Sequence, residues 1–447
     1  MLSVGAPNNL DEAAYYLPTV RWMENFPVVQ GISLLIDRVG FNSGFHLLSA
    51  TFGLADFIPG GVYEFNGFLF LFINGHLWKL ILTRKSDANR PWFDLVYVAA
   101  LLFPFSYLVP SMDTDYLSIF GGILVLGWIS QIWMTEAKPD NAKILAISWI
   151  IAMLCTVKFL AILLTIPFLL SLIKQKNKRL FIQAGVLMTL FIAPWIVRNI
   201  IISGYTVFPL HHIDFWQVAW KAPQELTKDA YDYISEFAKV SIVREDYNLS
   251  GVQEWTMASW LPIWLENQLQ YAIGKVTIVL LPFAIVAGII ILIMKRKSEL
   301  EKRRFFIFWL CLTAILSFWF YKYPAIRFAW HWILVYITMT IGYLIYCMKK
   351  SWLPMVYRLL VVLVILSWTR LADRSIQTTY PQFSSKFMIH EHHNVKIKHE
   401  IKIINNIEFK VAEDNCGGLL PPCIPARNPY NVITVGPTIN SGFVIKD

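Results

Sequence analysis

Charge is what this chain has least of. Only 15% of its 447 residues are Asp, Glu, Lys or Arg, against roughly 25% in an average soluble protein. That is too little to cover the surface of a soluble molecule of this size. A soluble enzyme, a disordered regulator and a secreted disulfide scaffold are excluded as descriptions of the whole chain. There is no P-loop and no G-x-G-x-x-G turn, so neither nucleotide-sugar nor ATP chemistry has support. Internal repeats and low-complexity tracts are also absent. The opening stretch, MLSVGAPNNLDEAAYYLPTVRWMENF, has no basic start and no apolar run, so it is not a signal peptide.

Apolar residues are abundant, at 56%, and Phe, Trp and Tyr supply 15%. The mean hydropathy is +0.50. These values describe a mainly α, polytopic integral membrane protein. A bilayer core needs about 20 mostly apolar residues per helix, and about ten runs qualify. They are residues 62–83, 92–109, 116–134, 142–157, 159–173, 180–198, 271–294, 305–321, 328–347 and 354–370. The stretch 142–173 also reads as one long tilted helix. We split it because Thr156-Val157-Lys158 puts a charge at its middle, and two shorter helices would let that lysine reach an aqueous rim.

The net charge of +9 raises the possibility of a nucleic-acid partner. The charges instead sit in short connections between apolar runs and read as topology signals. One alternating set of connections holds 17 of the 39 basic residues and only 5 of the 30 acids. It includes Arg84, Lys143, Lys174, Arg179, Lys295 to Arg304, and Lys349, and is expected to be cytoplasmic. Residues 1–61, the loop at 110–115, the loop at 199–270 and the tail at 371–447 are then outside. The spanning core is 62–370. An outer N-terminal region without a helix before it leads to the expectation that a first transmembrane helix is missing. Residues 44–58 suit an interfacial or re-entrant segment.

The tail differs in kind. VKIKHEIKII and NVITVGPTI alternate as strands do, giving a small outer α/β or β domain. Cys416 and Cys423 bracket CGGLLPPC there. An oxidising compartment favours a disulfide over a metal site, because no His lies at zinc spacing from the pair. Cys155, Cys311 and Cys347 lie in apolar runs and read as packing residues.

Several outer residues carry possible chemistry. Asp11-Glu12 precede Tyr15-Tyr16, and Arg38 and Asn42 follow; a carboxylate at the lipid–water boundary can take a proton from a hydroxyl. The bland alternative is a solvated loop with a helix cap at Asp11. Asp113 and Asp115 suit a divalent cation or sugar hydroxyls, or equally the cap of a helix beginning near Tyr116. Lys158, Arg198 and Arg327 stand at the outer ends of apolar segments. Together they suit a phosphate; singly they suit snorkelling to the interface. His211, His212, His392 and His393 read as surface residues.

These stretches, in order, resemble the glycosyltransferase-C superfamily, and most of all a poorly characterised bacterial branch with that fold. The matching residues are Asp11-x-x-x-Tyr15, Arg21-Trp22, Arg38-x-x-Phe41-Asn42-Ser43, Ser111-x-x-x-Asp115 and Thr156-Val157-Lys158. Further on they are Pro194-Trp195-x-x-Arg198-Asn199, Ser203-Gly204-Tyr205-x-x-x-Pro209, Trp220-Lys221-x-Pro223, Pro324-x-x-Arg327-Phe328 and the Cys416/Cys423 pair. The chain departs from the pattern at Tyr16, where relatives carry His, and at Ala219, where they carry Asp.

The resemblance implies a multi-pass enzyme of the bacterial inner membrane. It would be a hexosyl- or pentosyltransferase moving a sugar from a polyprenyl-phosphate donor to a surface glycan or glycolipid acceptor. It makes Asp11 the general base and assigns substrate binding to Tyr15, Arg38, Asn42, Asp113, Asp115, Lys158, Arg198, Asn199 and Arg327. A divalent cation at Asp113 and Asp115 is an optional cofactor. The competing expectations are a non-catalytic protein of the same fold and a transporter or flippase of lipid-linked glycans.

Overall fold

The computed structural model describes residues 11–53, 63, 65–83, 94–134, 139–240, 255–294, 299–383, 398–413, 416, 419–426 and 430–446, with 378–383 described by backbone alone. A π-helical turn at Glu12–Tyr16 leads into α1 (Leu17–Asn25), followed by α2 (Gly44–Phe52), α3 (Phe65–Leu82) and α4 (Asp94–Leu101). Next come α5 (Asp115–Met134), α6 (Asn141–Val157), a 3-10 segment at Phe159–Leu164, α7 (Thr165–Gln175) and α8 (Lys178–Ser203). The remaining helices are α9 (Gln224–Val240), α10 (Met257–Gln268), α11 (Ala272–Ile293), α12 (Glu299–Lys322), α13 (Ile326–Lys349) and α14 (Leu353–Phe383). Among the described residues six runs suffice, by length and composition, to cross a membrane: α3, α5, α8, α11, α12 and the stretch from Ile326 to Gln377.

Lys158 divides the 142–173 stretch as expected. It adopts extended backbone after α6, and the chain restarts as a 3-10 turn. The expected span at 92–109 needs correcting. Among its described residues only Asp94–Leu101 is α-helical, with a 3-10 turn at Ser106–Leu108. Pro104 lacks an N–H and disfavours helix at its predecessor, and Phe105 is left-handed at φ 47°. The expected loop at 199–270 contains two helices, α9 and α10. The last helix continues past 370 to Phe383, into the expected tail.

α5 forms the centre of the bundle, with 17 of its residues buried. A helix apolar on every side belongs there. Its glycines let neighbours close in. A Cβ at Gly121 would lie 2.9 Å from Leu154, one at Gly122 2.6 Å from the His331 ring, and one at Gly127 2.7 Å from Tyr97. Small residues at helix crossings are how apolar helices gain contact where lipid competes. By contrast, α8 and α11 present Leu190, Val197, Val279 and Ile293 outward, as lipid-facing helices do.

The two ends of the bundle differ. At one end Lys174 on α7 donates to the Ile132 and Trp133 carbonyls, capping α5, and the Trp133 indole donates to the Arg304 carbonyl. Lys143 also reaches this end, its Nζ donating to Gln131 Oε1 at 3.1 Å. At the other end, α5 and α13 begin while α6 and α8 finish.

A second core sits on that other end. Ile32, Leu35, Tyr205, Phe208, Phe409 and Phe443 are buried together, each contributing about 1.5–3 kcal/mol by leaving water. The tail supplies two small sheets. β1 (His399–Ile404) pairs antiparallel with β2 (Ile407–Ala412), and β3 (Cys423–Pro425) runs parallel to β2. Asn405 and Asn406, both at positive φ, make the tight hairpin turn that asparagine tolerates. β4 (Val432–Thr434) pairs antiparallel with β5 (Phe443–Ile445). Cys416 and Cys423 form a disulfide. Phe443 donates its N–H to Gln30 O at 2.9 Å, which joins the tail to the segment between α1 and α2. Cys155, Cys311 and Cys347 are free, the first and last buried.

Candidate functional site

Four separate stretches of chain bring charged groups together at the end where α5 and α13 begin. Lys158 donates to and pairs with the Asp115 carboxylate. Arg327 places Nη1 3.8 Å from Asp115 Oδ2 and 4.0 Å from Asp11 Oδ2. Asp115 is the buried hub, at 3% side-chain exposure, while Asp11 keeps 29%. The local folding explains the placement. α6 stops at Val157 and extended Lys158 turns its amine toward the first residue of α5. α13 begins at Ile326, so Arg327 sits in its first turn.

Asp11 and Glu12, adjacent in sequence, play different parts. Asp11 precedes a helical turn but makes no capping hydrogen bond; its carboxylate faces Arg327. Glu12 is buried, and its Oε2 accepts the Met112 N–H at 3.0 Å. Burial pushes the Glu12 carboxyl up to about 8, opposed by that N–H and helped by the charge of Asp113. Asp113 takes the capping role for α5, its Oδ1 accepting the Asp115 N–H at 2.6 Å. Burial and then the neighbouring Asp115 charge hold its carboxyl above the usual range. Asn66 fixes the same loop, donating to the Leu108, Ser111 and Asp113 carbonyls.

The expected metal pair is arranged otherwise. Asp113 serves the helix terminus, and Asp115 is engaged by two cations. Among the described residues no group of three or more His, Cys, Asp or Glu side chains is placed to hold a metal ion.

Asn42 and Asn199, expected to touch substrate, are buried and bonded to each other. Asn42 Nδ2 donates to Asn199 Oδ1 at 2.8 Å, the Trp195 indole donates to Asn42 O at 2.7 Å, and Asn199 Nδ2 donates to Thr206 O at 3.0 Å. They clamp the segment just before α2 to α8. Of the expected trio of cations, Lys158 and Arg327 share the Asp115 carboxylate. Arg198 lies on α8, half-buried, with no hydrogen-bond partner at Nε among the described residues. Arg38 sits between two rings, 5.5 Å from the Tyr15 centroid and 4.8 Å from that of Tyr233 on α9. Phe237, one turn further along α9, lies 5.2 Å from the Arg327 guanidinium. Thus α9 covers the cluster through two cation–π contacts.

Three groups escaped the sequence reading. His46 is buried with its ring 5.1 Å from Tyr16. Burial holds it down to about 3. His331 is buried beneath Arg327, and neither ring nitrogen has a hydrogen-bond partner among the described residues. Its spacing of four from Arg327 was visible, since such residues share a helix face. Tyr233 and Phe237 show the same spacing and stack at 6.3 Å. His211, expected at the surface, is buried, with its ring 3.7 Å from His212. His392 and His393 lie outside the described residues.

A family profile matches residues 1–334. The chain belongs to that family, described as Domain of unknown function (DUF8201). The match contains Asp11, Asp115, Lys158 and Arg327, whereas the disulfide-bearing sheets lie beyond it. No curated protein matches the chain, and no solved structure matches it.

Proposed function

We propose that this member of the DUF8201 family is an integral membrane glycosyltransferase of the glycosyltransferase-C type. It moves a sugar from a polyprenyl-phosphate donor to a glycan or glycolipid acceptor at the outer face of the bacterial inner membrane. The observation that supports this reading is the cluster itself. A partly exposed carboxylate, Asp11, stands within 4.0 Å of Arg327, at one end of a bundle whose helices are apolar enough for lipid. In this reading the chain crosses ten times. The second crossing is half helical, and its irregular 102–109 stretch is tolerated because most of it packs within protein. The basic end is cytoplasmic.

Asp11 takes the proton of the acceptor hydroxyl. The acceptor oxygen then bonds to the anomeric carbon as the bond from that carbon to the phosphate oxygen breaks, inverting the centre. The electron pair leaves with the phosphate, a stable anion that needs no general acid. Arg198 neutralises that charge as it develops. Arg327 and Lys158 hold Asp115, and Arg327 orients Asp11.

The test is release of free polyprenyl phosphate, followed by mass spectrometry. Purified protein in nanodiscs is incubated with a panel of synthetic polyprenyl-phosphate sugars and a membrane extract. Asp11→Asn should lower release by about 100-fold, as expected when a general base is lost. Equal release by the variant removes Asp11 from the role. No release by folded wild-type protein from any donor overturns the transferase reading.

A further inference from the structure

The loop between α8 and α9 carries the most exposed pair of adjacent aromatic residues at the site-bearing end. Phe215 is 77% exposed and Trp216 43%. Large aromatic groups displayed side by side call for an apolar or half-apolar partner. The loop is also held from beneath. The Trp216 indole donates to Thr206 Oγ1 at 3.1 Å. Lys221 pairs with Asp214 and donates to Trp216 O at 2.9 Å. The rings are therefore presented by an ordered support, and the two nearest charges neutralise each other, which lowers the cost of leaving bulk water.

Position identifies what covers them. The Trp220 indole donates to Ile200 O at 3.0 Å, and Ala222 N donates to Ser203 O at 2.9 Å. The loop thus lies against the last turn of α8, whose outward apolar residues run up to this level. Tyr271, just before α11, and Tyr321, at the end of α12, are also well exposed at this end. Exposed aromatics at one level around a helix bundle mark a lipid–water boundary, where an indole or phenol has one side apolar and the other wet.

We propose that the 204–223 loop is a membrane-interface anchor, with Phe215 and Trp216 entering the headgroup region of the leaflet on the Asp11 side. The partner is the lipid surface itself. The proposal rests on α8 lying in a bilayer and not on the transferase reading. It holds the capping segments, and with them Asn42 and Asn199, at a fixed height above the membrane.

The experiment uses the full chain with Cys155, Cys311 and Cys347 changed to Ala and the Cys416–Cys423 disulfide intact. Phe215→Cys carries a nitroxide label in vesicles of phosphatidylcholine and phosphatidylglycerol. Power saturation compares access of oxygen, which enters lipid, with that of a water-soluble nickel chelate. Oxygen should dominate, at a depth of roughly 5–10 Å below the headgroup boundary. Val197→Cys on α8 should report lipid more deeply, and Val435→Cys in the tail should report water. A chelate-dominated signal at 215 with lipid at 197 overturns the anchor alone. Chelate dominance at both overturns the anchor together with the bilayer placement of α8. Poor access of both reagents at 215 overturns the proposal in favour of a protein, or a second copy of this chain, covering the loop.

Discussion

Arg327 lies 3.8 Å from Asp115, and the same guanidinium lies 4.0 Å from Asp11. One cation on α13 thereby links the start of α5 to a turn near the beginning of the chain. Because Asp115 also pairs with Lys158, the hub carries two positive partners on one buried carboxylate.

Removing the hub should destabilise the fold. Asp115→Asn leaves Lys158 and Arg327 facing each other without their shared anion. Breaking one partner of a buried pair costs about 3–5 kcal/mol, and the partial water access of both cations places this site at the low end. Thermal unfolding in detergent should show a clearly lowered midpoint. An unchanged midpoint would mean the pairs add nothing to stability.

Gly122 and His331 should be coupled. Gly122→Ala puts a methyl group 2.6 Å from the ring, and overpacking of this kind costs about 1–3 kcal/mol. His331→Ala makes room, so the double variant should lose less than the sum of the single variants. A double-mutant cycle on unfolding midpoints reads this directly.

Stability should be greatest between about pH 4.5 and 6.5 and decline on either side, for two different reasons. The Glu12 carboxyl, raised by burial to about 8, keeps its proton in the fold where the unfolded chain loses it near 4.5. The resulting stabilisation is full below 4.5 and is lost as pH rises toward 8. The His46 ring, lowered to about 3, stays neutral in the fold where the unfolded chain gains a proton near 6.5. Its contribution is full above 6.5 and is lost as pH falls toward 3. Glu12→Gln should flatten the alkaline limb and leave the acid limb in place, as read by unfolding midpoints across pH.

Arg198→Ala should separate catalysis from stability. The residue makes no ion pair among the described residues, so the unfolding midpoint should hold. If it carries the leaving phosphate, release of polyprenyl phosphate should fall by about 100- to 1,000-fold, the usual cost of losing one charge-stabilising group. Unchanged release would return Arg198 to snorkelling at the interface.

The helices and their ends were legible in the sequence wherever a local rule applied. Runs of apolar residues marked the long helices. The charge at Lys158 marked the break between α6 and the next segment, because extended backbone there lets the amine reach Asp115. Alternation marked β1, and an expected oxidising compartment with no His at zinc spacing marked the Cys416–Cys423 disulfide. Local rules failed where neighbours decide. Pro104 and left-handed Phe105 shortened α4 inside an apolar run, which periodicity alone does not reveal. Asn42 and Asn199, which the resemblance assigns to substrate binding, bond to each other across the fold, a pairing that no local pattern shows.

By itself, the sequence determined that this protein is mainly helical and apolar enough for a membrane, because composition and run length act residue by residue through transfer of apolar surface from water. Its charge pattern likewise separated a basic set of connections from the rest. Only the tertiary structure decided which charges meet. Asp11, Asp115, Lys158 and Arg327 come from segments far apart in the chain, and Coulombic pairing in a buried setting depends on distance in space, which packing around α5 sets. The same packing made Glu12 a buried strut for the Met112 loop and left its neighbour Asp11 accessible, a difference that adjacent acidic residues in a sequence do not announce.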